Sequence, residues 1–249
     1  NNWRPVVKRS HPKGHGQVVV AYIHAGQLSS YFTESLVATL LLDQQRKPKI
    51  VGLLQEWSSA NISSARNLLT RRFLDDFDAE WLLWVDSDMA FSADALDALL
   101  ESADKDTAPI VGGLCFGMMQ GRLFPTIYMF AEDDDGNMRT VRVGQYPADT
   151  LVKVAATGAA FLLIHRSALE TIRGRAFNPV FEFFQETEMH GQPVGEDVTF
   201  SLRALACNIP IHVDTGIKIG HHKSTLLTEE LFLSQAELDP PAAEGTPVP

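Results

Sequence analysis

The chain is short of cysteine, of basic charge and of long apolar runs, and each shortage excludes a class of protein. Of 249 residues only two are cysteine, Cys115 and Cys207. Both sit inside apolar patterns and at no zinc-ligand spacing, so they read as buried free thiols of a reducing compartment. Lys and Arg total 21 against 31 Asp and Glu, for a formal net charge of -10 and a pI near 5.2. That balance lacks the basic surface on which non-specific nucleic-acid binding depends. No apolar run reaches the ~20 residues of a membrane-spanning helix, and no secretory signal pattern is visible, so the expectation is a cytoplasmic protein without a membrane span. A Gly-rich loop bearing Lys or Arg after the first strand, which would cradle a nucleoside triphosphate, is missing as well. Residues 25–30 read Ala-Gly-Gln-Leu-Ser-Ser, with one glycine and no basic side chain.

What remains is enough for a core. With 45% hydrophobic and 21% charged residues, the length suits one large domain. Residues 1–16 are polar and basic, include His11 and His15, and read as an arm. Residues 17–239 read as a single domain. Residues 240–249 are rich in Pro and Ala and read as a disordered tail.

Buried-strand patterns at 17–24, 49–54, 81–85 and 109–116 alternate with helical periodicity at 33–43, 65–76 and 92–103. Such alternation predicts an α/β fold with a mostly parallel sheet flanked by helices. The second half is mixed. Residues 126–131 and 138–143 flank an acidic Asp-Gly tip and predict a hairpin. A strand, a small-residue turn and a strand follow over 151–165, with helices at 167–172 and 198–207. Short strands are predicted at 211–214 and 217–220, and a last helix at 228–238. The segment 178–193, with Phe181, Phe183 and Phe184, reads as a lid that orders on substrate.

One stretch organises the rest. Trp81-Leu82-Leu83-Trp84-Val85 is bulky and apolar throughout, which suits a strand buried on both faces. It stops at Asp86-Ser87-Asp88. Two carboxylates at the carboxyl edge of such a strand are costly to desolvate unless a cation or strong donors meet them, and that edge is where open α/β sheets bind ligands. Asp-x-Asp can also hold a hard divalent ion together with phosphates. A strand-end turn is the plain alternative. Two further signals lie downstream. Gly195-Glu196-Asp197 precedes an amphipathic helix, where the acids could simply favour the helix dipole. Gly220-His221-His222 follows the last short strands.

Together and in this order, the three signals resemble the GT-A family of metal-dependent glycosyltransferases, and most closely its family-two-like bacterial and phage group. Ala65-Arg66-Asn67 ahead of the Asp-x-Asp strand and the Thr157-Gly158 turn add to the likeness, which spans residues 17–223. The resemblance implies a GT-A (Rossmann-like) sheet, a bound Mn2+ or Mg2+, a UDP- or GDP-linked sugar donor, and an acceptor that is a glycan, protein, lipid or modified nucleobase. It makes Asp88 the main carboxylate ligand. Asp86 is given to ribose hydroxyls, the metal or both. His221 becomes the third protein ligand, with His222 the runner-up. Gly26, Arg66, Asn67 and Gly158 are expected to line the donor cleft. Asp197, in preference to Glu196, is the implied general base of an inverting transfer. Retaining members also carry a late metal-binding His and need no such base. The competing readings are a sugar-nucleotide nucleotidyltransferase, disfavoured by the loop at 25–30, and a non-catalytic sugar- or nucleotide-binding module.

Overall fold

A computed structural model describes residues 16–224, apart from positions 59, 120, 133–135, 137 and 190. The expected N-terminal arm, the helix at 228–238, the tail at 240–249 and most of the acidic tip at 132–137 lie outside the described residues.

The first half runs β1 (Val18–His24), α1 (Ser30–Gln44), β2 (Ile50–Trp57), α2 (Ile62–Asp76), β3 (Trp81–Val85), β4 (Met89–Ala90), α3 (Ala95–Ser102) and β5 (Ile110–Leu114). Short strands β6 (Phe116–Met119), β7 (Arg122–Pro125), β8 (Ile127–Glu132), β9 (Met138–Arg142), β10 (Leu151–Val154) and β11 (Ala156–Thr157) lead to β12 (Phe161–His165) and α4 (Arg166–Gly174). The chain closes with β13 (Thr187–Met189), β14 (Gln192–Val194), α5 (Glu196–Ala206), β15 (Ile211–Lys218) and β16 (Gly220–His221).

Seven strands form the central sheet in the order β10-β15-β5-β12-β3-β1-β2. Five of them run one way, and β12 and β10 run the other. The sheet is buried on both faces because its strands alternate between two apolar clusters. Val19, Ala21, Leu82 and Trp84 pack with Leu69 and Phe73 of α2, Leu169 of α4 and Phe200 of α5. Val18, Val20, Leu83 and Val85 pack with Phe32 of α1 and Leu96 and Leu99 of α3. The unbroken apolar run of β3 is therefore what a strand between two helical layers requires.

Several boundaries shift by up to three residues, and two predicted strand regions differ in kind. The strand expected over 109–116 ends at Leu114, and the chain turns into a β6–β7 hairpin that the sequence pattern did not suggest. The Cys115 carbonyl accepts from the Thr126 N–H at 2.9 Å, which draws the chain out of the sheet at that point. The two short strands expected at 211–220 are instead one strand, β15, with a register break between Asp214 and Lys218, followed by β16.

The topology fixes where a ligand can bind. β2 lies on one side of β1 and β3 on the other, so the chain reverses direction at β1 and leaves a crevice at the carboxyl edge of the sheet. Among the described residues no helix is long and apolar enough to cross a membrane.

Candidate functional site

A cleft of about 620 Å³ opens at this crevice, and its walls include His24, Arg66, Asp86, Asp88, Glu196 and His221. Asp86 and Asp88 arrive from the end of β3. The Asp86 N–H donates to the Ala160 carbonyl at 2.8 Å, and the Met89 N–H donates back to the Asp86 carbonyl at 3.1 Å, closing a tight turn. β4 then pairs with β16, setting His221 opposite Met89. That pairing carries the imidazole to Asp88, with Nε2 3.0 Å from Oδ2. His221 Nδ1 lies 2.7 Å from the Phe116 carbonyl. A carbonyl only accepts, so Nδ1 carries the proton and Nε2 keeps its lone pair in the neutral ring. A lone pair facing a carboxylate oxygen calls for a proton or a cation between them.

His222 goes elsewhere. Its N–H donates to the Asp88 carbonyl at 2.8 Å, its Nδ1 meets the Ser29 hydroxyl at 3.0 Å, and its ring packs against Tyr31. Of the two candidate histidines, His221 meets the Asp88 carboxylate. Among the described residues no three His, Cys, Asp or Glu side chains form a group able to hold a metal ion. Asp88 and His221, with Asp86 on the same cleft wall, nevertheless fit a site whose remaining positions are filled by a ligand. Small hard divalent ions are commonly bound by one or two protein groups plus substrate phosphates and water. The Nδ1–H to carbonyl bond also fixes the ring of His221, as such bonds orient ligating histidines.

Arg66 sits in the first turns of α2, whose N-cap Asn61 accepts from the Ser64 N–H. Its guanidinium is 4% exposed and lies 2.8 Å from Asp86 and 3.5 Å from Glu196. It stacks 4.9 Å from the Trp84 ring centroid and 5.6 Å from that of Phe184. Burial works against the charge, but Asp86 and Glu196 more than offset it and hold the group protonated. Arg66 lines the cleft, and its partners there are the site's own acids. It ties the turn after β3 to the start of α5.

Both acids of that start lie in the first turn of α5. Glu196 faces the cleft and Arg66. Asp197 packs beside Gly158, within electrostatic reach of Arg66 and Asp86. Its Oδ2 would lie 3.5 Å from a Cβ built on Gly158, and its Oδ1 accepts from the Val198 N–H at 2.7 Å. Loss of hydration, and then the neighbouring Glu196 carboxylate, push the Asp197 carboxyl up to about 6.

The small residues separate. Gly26 has φ +95°, a left-handed conformation that disfavours a side chain, and its N–H meets His24 Nδ1 at 3.1 Å. Its neighbours Ala25 and Gln27 line the cleft. Gly158 lies against Asp197 and Thr126.

Asn67 is not among the residues that line the cleft. It is fully buried and donates to the Ser63 and Phe184 carbonyls at 2.7 and 2.6 Å. It accepts from the Phe183 and Phe184 N–H groups at 2.8 and 3.3 Å. The lid expected over 178–193 is thus divided. Phe183 and Phe184 are core, with Phe184 stacked on Phe200 at 4.7 Å, while residues 178–180 before them and the β13–β14 hairpin beyond them are exposed. Asn67→Ala would strand two buried N–H groups and the Phe184 carbonyl, whereas the Ser63 carbonyl keeps its helical bond. It is expected to cost about 3 kcal/mol, given 1–3 kcal/mol for each unsatisfied buried group with partial relaxation. A urea midpoint measurement checks it.

Sequence reasoning missed His24, Ser29, Ser58 and Lys223 as cleft residues. The signal for Lys223 was its position directly after His221-His222. A second cavity, of about 680 Å³, lies against α4 and α5 and is lined by Phe177, Phe181, Arg203 and Cys207. It contains none of the acids singled out above.

No family model matches the chain, and no curated protein matches it. Solved structures do. A197 from STIV aligns with a TM-score of 0.53 at 16% identity, over 84% of this chain and 86% of that one. GalNAc-T7, solved with UDP, GalNAc and Mn2+, aligns with a TM-score of 0.53 at 11% identity. That alignment covers 85% of this chain and 44% of the other. Identities this low speak for the fold alone. The chain has a GT-A-like α/β fold, with a large, mostly parallel central sheet, helices on both faces and small antiparallel sheets.

Proposed function

We propose that this chain is a metal-dependent glycosyltransferase of the family-two-like group that moves a sugar from a UDP- or GDP-linked donor to an acceptor hydroxyl. The observation that carries this reading is the meeting of Asp88 with His221 Nε2 at the carboxyl edge of the sheet, in the cleft that also holds Asp86 and Glu196. A bound Mn2+ or Mg2+ would offset the charge that grows on the departing diphosphate, and a mixed oxygen and imidazole set favours Mn2+. Asp88 and His221 would hold the ion. Asp86 would meet the ion, the ribose hydroxyls or both. Arg66 keeps Asp86 and Glu196 aligned across the cleft.

Asp197 would take the proton from the acceptor hydroxyl as its oxygen bonds to the anomeric carbon and the bond to the diphosphate oxygen breaks. Its raised pKa suits that role better than the Arg66-paired Glu196 does. The stereochemistry is then inverting. A retaining transfer would leave Asp197 to bind sugar or acceptor instead. Acceptors of matching chemistry are glycans, proteins, lipids and modified nucleobases.

Calorimetric titration with UDP and GDP, each with and without Mn2+, tests the reading. Binding is expected to tighten with Mn2+ by about tenfold or more, which is about 1.4 kcal/mol. Preference for a nucleoside triphosphate would point to a nucleotidyltransferase. Binding of free glycans alone would point to a non-catalytic module.

A further inference from the structure

The Asp88 carboxylate already has a cation on it. Lys223 Nζ lies 2.9 Å from Asp88 Oδ2, the same oxygen that faces His221 Nε2 at 3.0 Å. Both partners of the lysine pair are partly exposed, 47% for Lys223 and 35% for Asp88. The residues just before Lys223 are fastened. His221 is held in the β4–β16 pairing, and His222 is held by the Asp88 carbonyl and the Ser29 hydroxyl. Lys223 thus swings from a fixed base on a flexible four-carbon stem, with its ammonium in the cleft. Arg66, the other Lys or Arg among the described cleft residues, has no such freedom. It is buried between Asp86 and Glu196 beneath Trp84 and Phe184.

We propose that Lys223 is a stand-in cation. Before ligand binds it neutralises Asp88 and competes with a divalent ion for Oδ2. When ion and donor bind together it moves onto the donor's diphosphate. The inference rests on the metal-dependent transferase reading and deepens it. The ion can take Asp88 only by displacing the lysine, and the displaced ammonium finds a new anion only if a diphosphate is present. Metal and donor are thereby coupled through one side chain, and the coupling must be reciprocal.

The test is the charge-removing variant Lys223→Met, with Lys223→Arg as the control that keeps the charge. Mn2+ alone is titrated first, read by electron paramagnetic resonance of the free ion, which needs no turnover. Removing the competitor is expected to tighten Mn2+ binding by about fivefold, the range of a partly exposed ion pair. UDP and GDP are then titrated at saturating Mn2+ by calorimetry. Losing a charge-assisted contact to phosphate is expected to weaken their binding by about tenfold. A residue with a merely structural role would not move the two affinities in opposite directions. Lys223→Arg should stay near wild type in both. If the wild type binds Mn2+ and nucleoside diphosphate but Lys223→Met leaves Mn2+ affinity equal or weaker, the stand-in role is overturned and the transferase reading survives. Unchanged UDP and GDP affinity in Lys223→Met overturns the move onto diphosphate. A wild type that binds neither Mn2+ nor UDP or GDP overturns the transferase reading and this inference with it.

Discussion

Asp88→Ala is expected to abolish metal-dependent donor binding, weakening the affinity for UDP or GDP in the presence of Mn2+ by about a hundredfold or more. Loss of a single outer-shell partner already costs about 10- to 100-fold in metal affinity, and Asp88 is proposed as a direct ligand. Without it the ion would keep the His221 imidazole, which brings no charge, and Asp86, which is already engaged by Arg66 at 2.8 Å. The fold should tolerate the change. The Asp88 side chain is about one-third exposed, and the carbonyl that accepts from the His222 N–H belongs to the backbone and survives. The thermal midpoint should therefore stay within about 2 °C of wild type, as for a surface substitution of less than 0.5 kcal/mol. Asp86→Ala is a poorer probe, because it would leave the buried Arg66 guanidinium with Glu196 as its remaining close acid and confuse stability with binding. Undiminished Mn2+-dependent binding in Asp88→Ala would remove this carboxylate from the metal site.

The elements around Asp88 were legible because their signals are local. The run Trp81–Val85 declares a strand buried on both faces, and Asp86-Ser87-Asp88 declares where it ends. The acids at 196–197 sit where a helix begins, and the structure starts α5 there. What the sequence could not reveal was the pairing of side chains far apart along it. Arg66 reads as a charged fork for a ligand, yet it meets an acid 20 residues on and the start of α5. Asn67 reads as part of a cleft motif, yet it holds the backbone of Phe183 and Phe184, 116 and 117 residues on. The pattern around Phe181, Phe183 and Phe184 suited a lid because an apolar segment without regular periodicity can be either mobile or core. Burial decided it, through the stacking of Phe184 on Phe200 and its edge-on contact with Trp84. That His221 and not His222 meets the Asp88 carboxylate follows from the register of a two-residue strand pair, which no local pattern encodes.

Asp197→Asn is expected to lower turnover by about a hundredfold or more while leaving donor binding nearly intact, since a lost general base typically costs 10²- to 10⁴-fold. The substitution keeps the shape, and an amide oxygen can still accept from the Val198 N–H as Asp197 Oδ1 does at 2.7 Å. The basicity goes. With the Asp197 carboxyl at about 6, it is mostly ionised at neutral pH and becomes protonated as the pH falls. Wild-type turnover should therefore drop about tenfold per pH unit below that value, and the residual activity of Asp197→Asn should lack this acid limb.

The same shift has an opposite consequence for stability. The folded state holds the Asp197 proton more tightly than an unfolded chain does, about 6 against the ordinary 3.8. Ionised Asp197 thus costs stability above pH 6. The cost shrinks as the pH falls through 6 and disappears below the unfolded value. Asp197→Asn should accordingly be more stable than wild type at pH 7–8, by on the order of 2 kcal/mol. The advantage should vanish near pH 4, and urea unfolding at the two pH values measures it. A variant that turns over slowly yet gains stability at neutral pH has lost a strained functional acid, not a structural one. Near-normal turnover in Asp197→Asn, or a product that keeps the donor's anomeric configuration, would take the base role from Asp197 and leave it to bind sugar or acceptor in a retaining transfer.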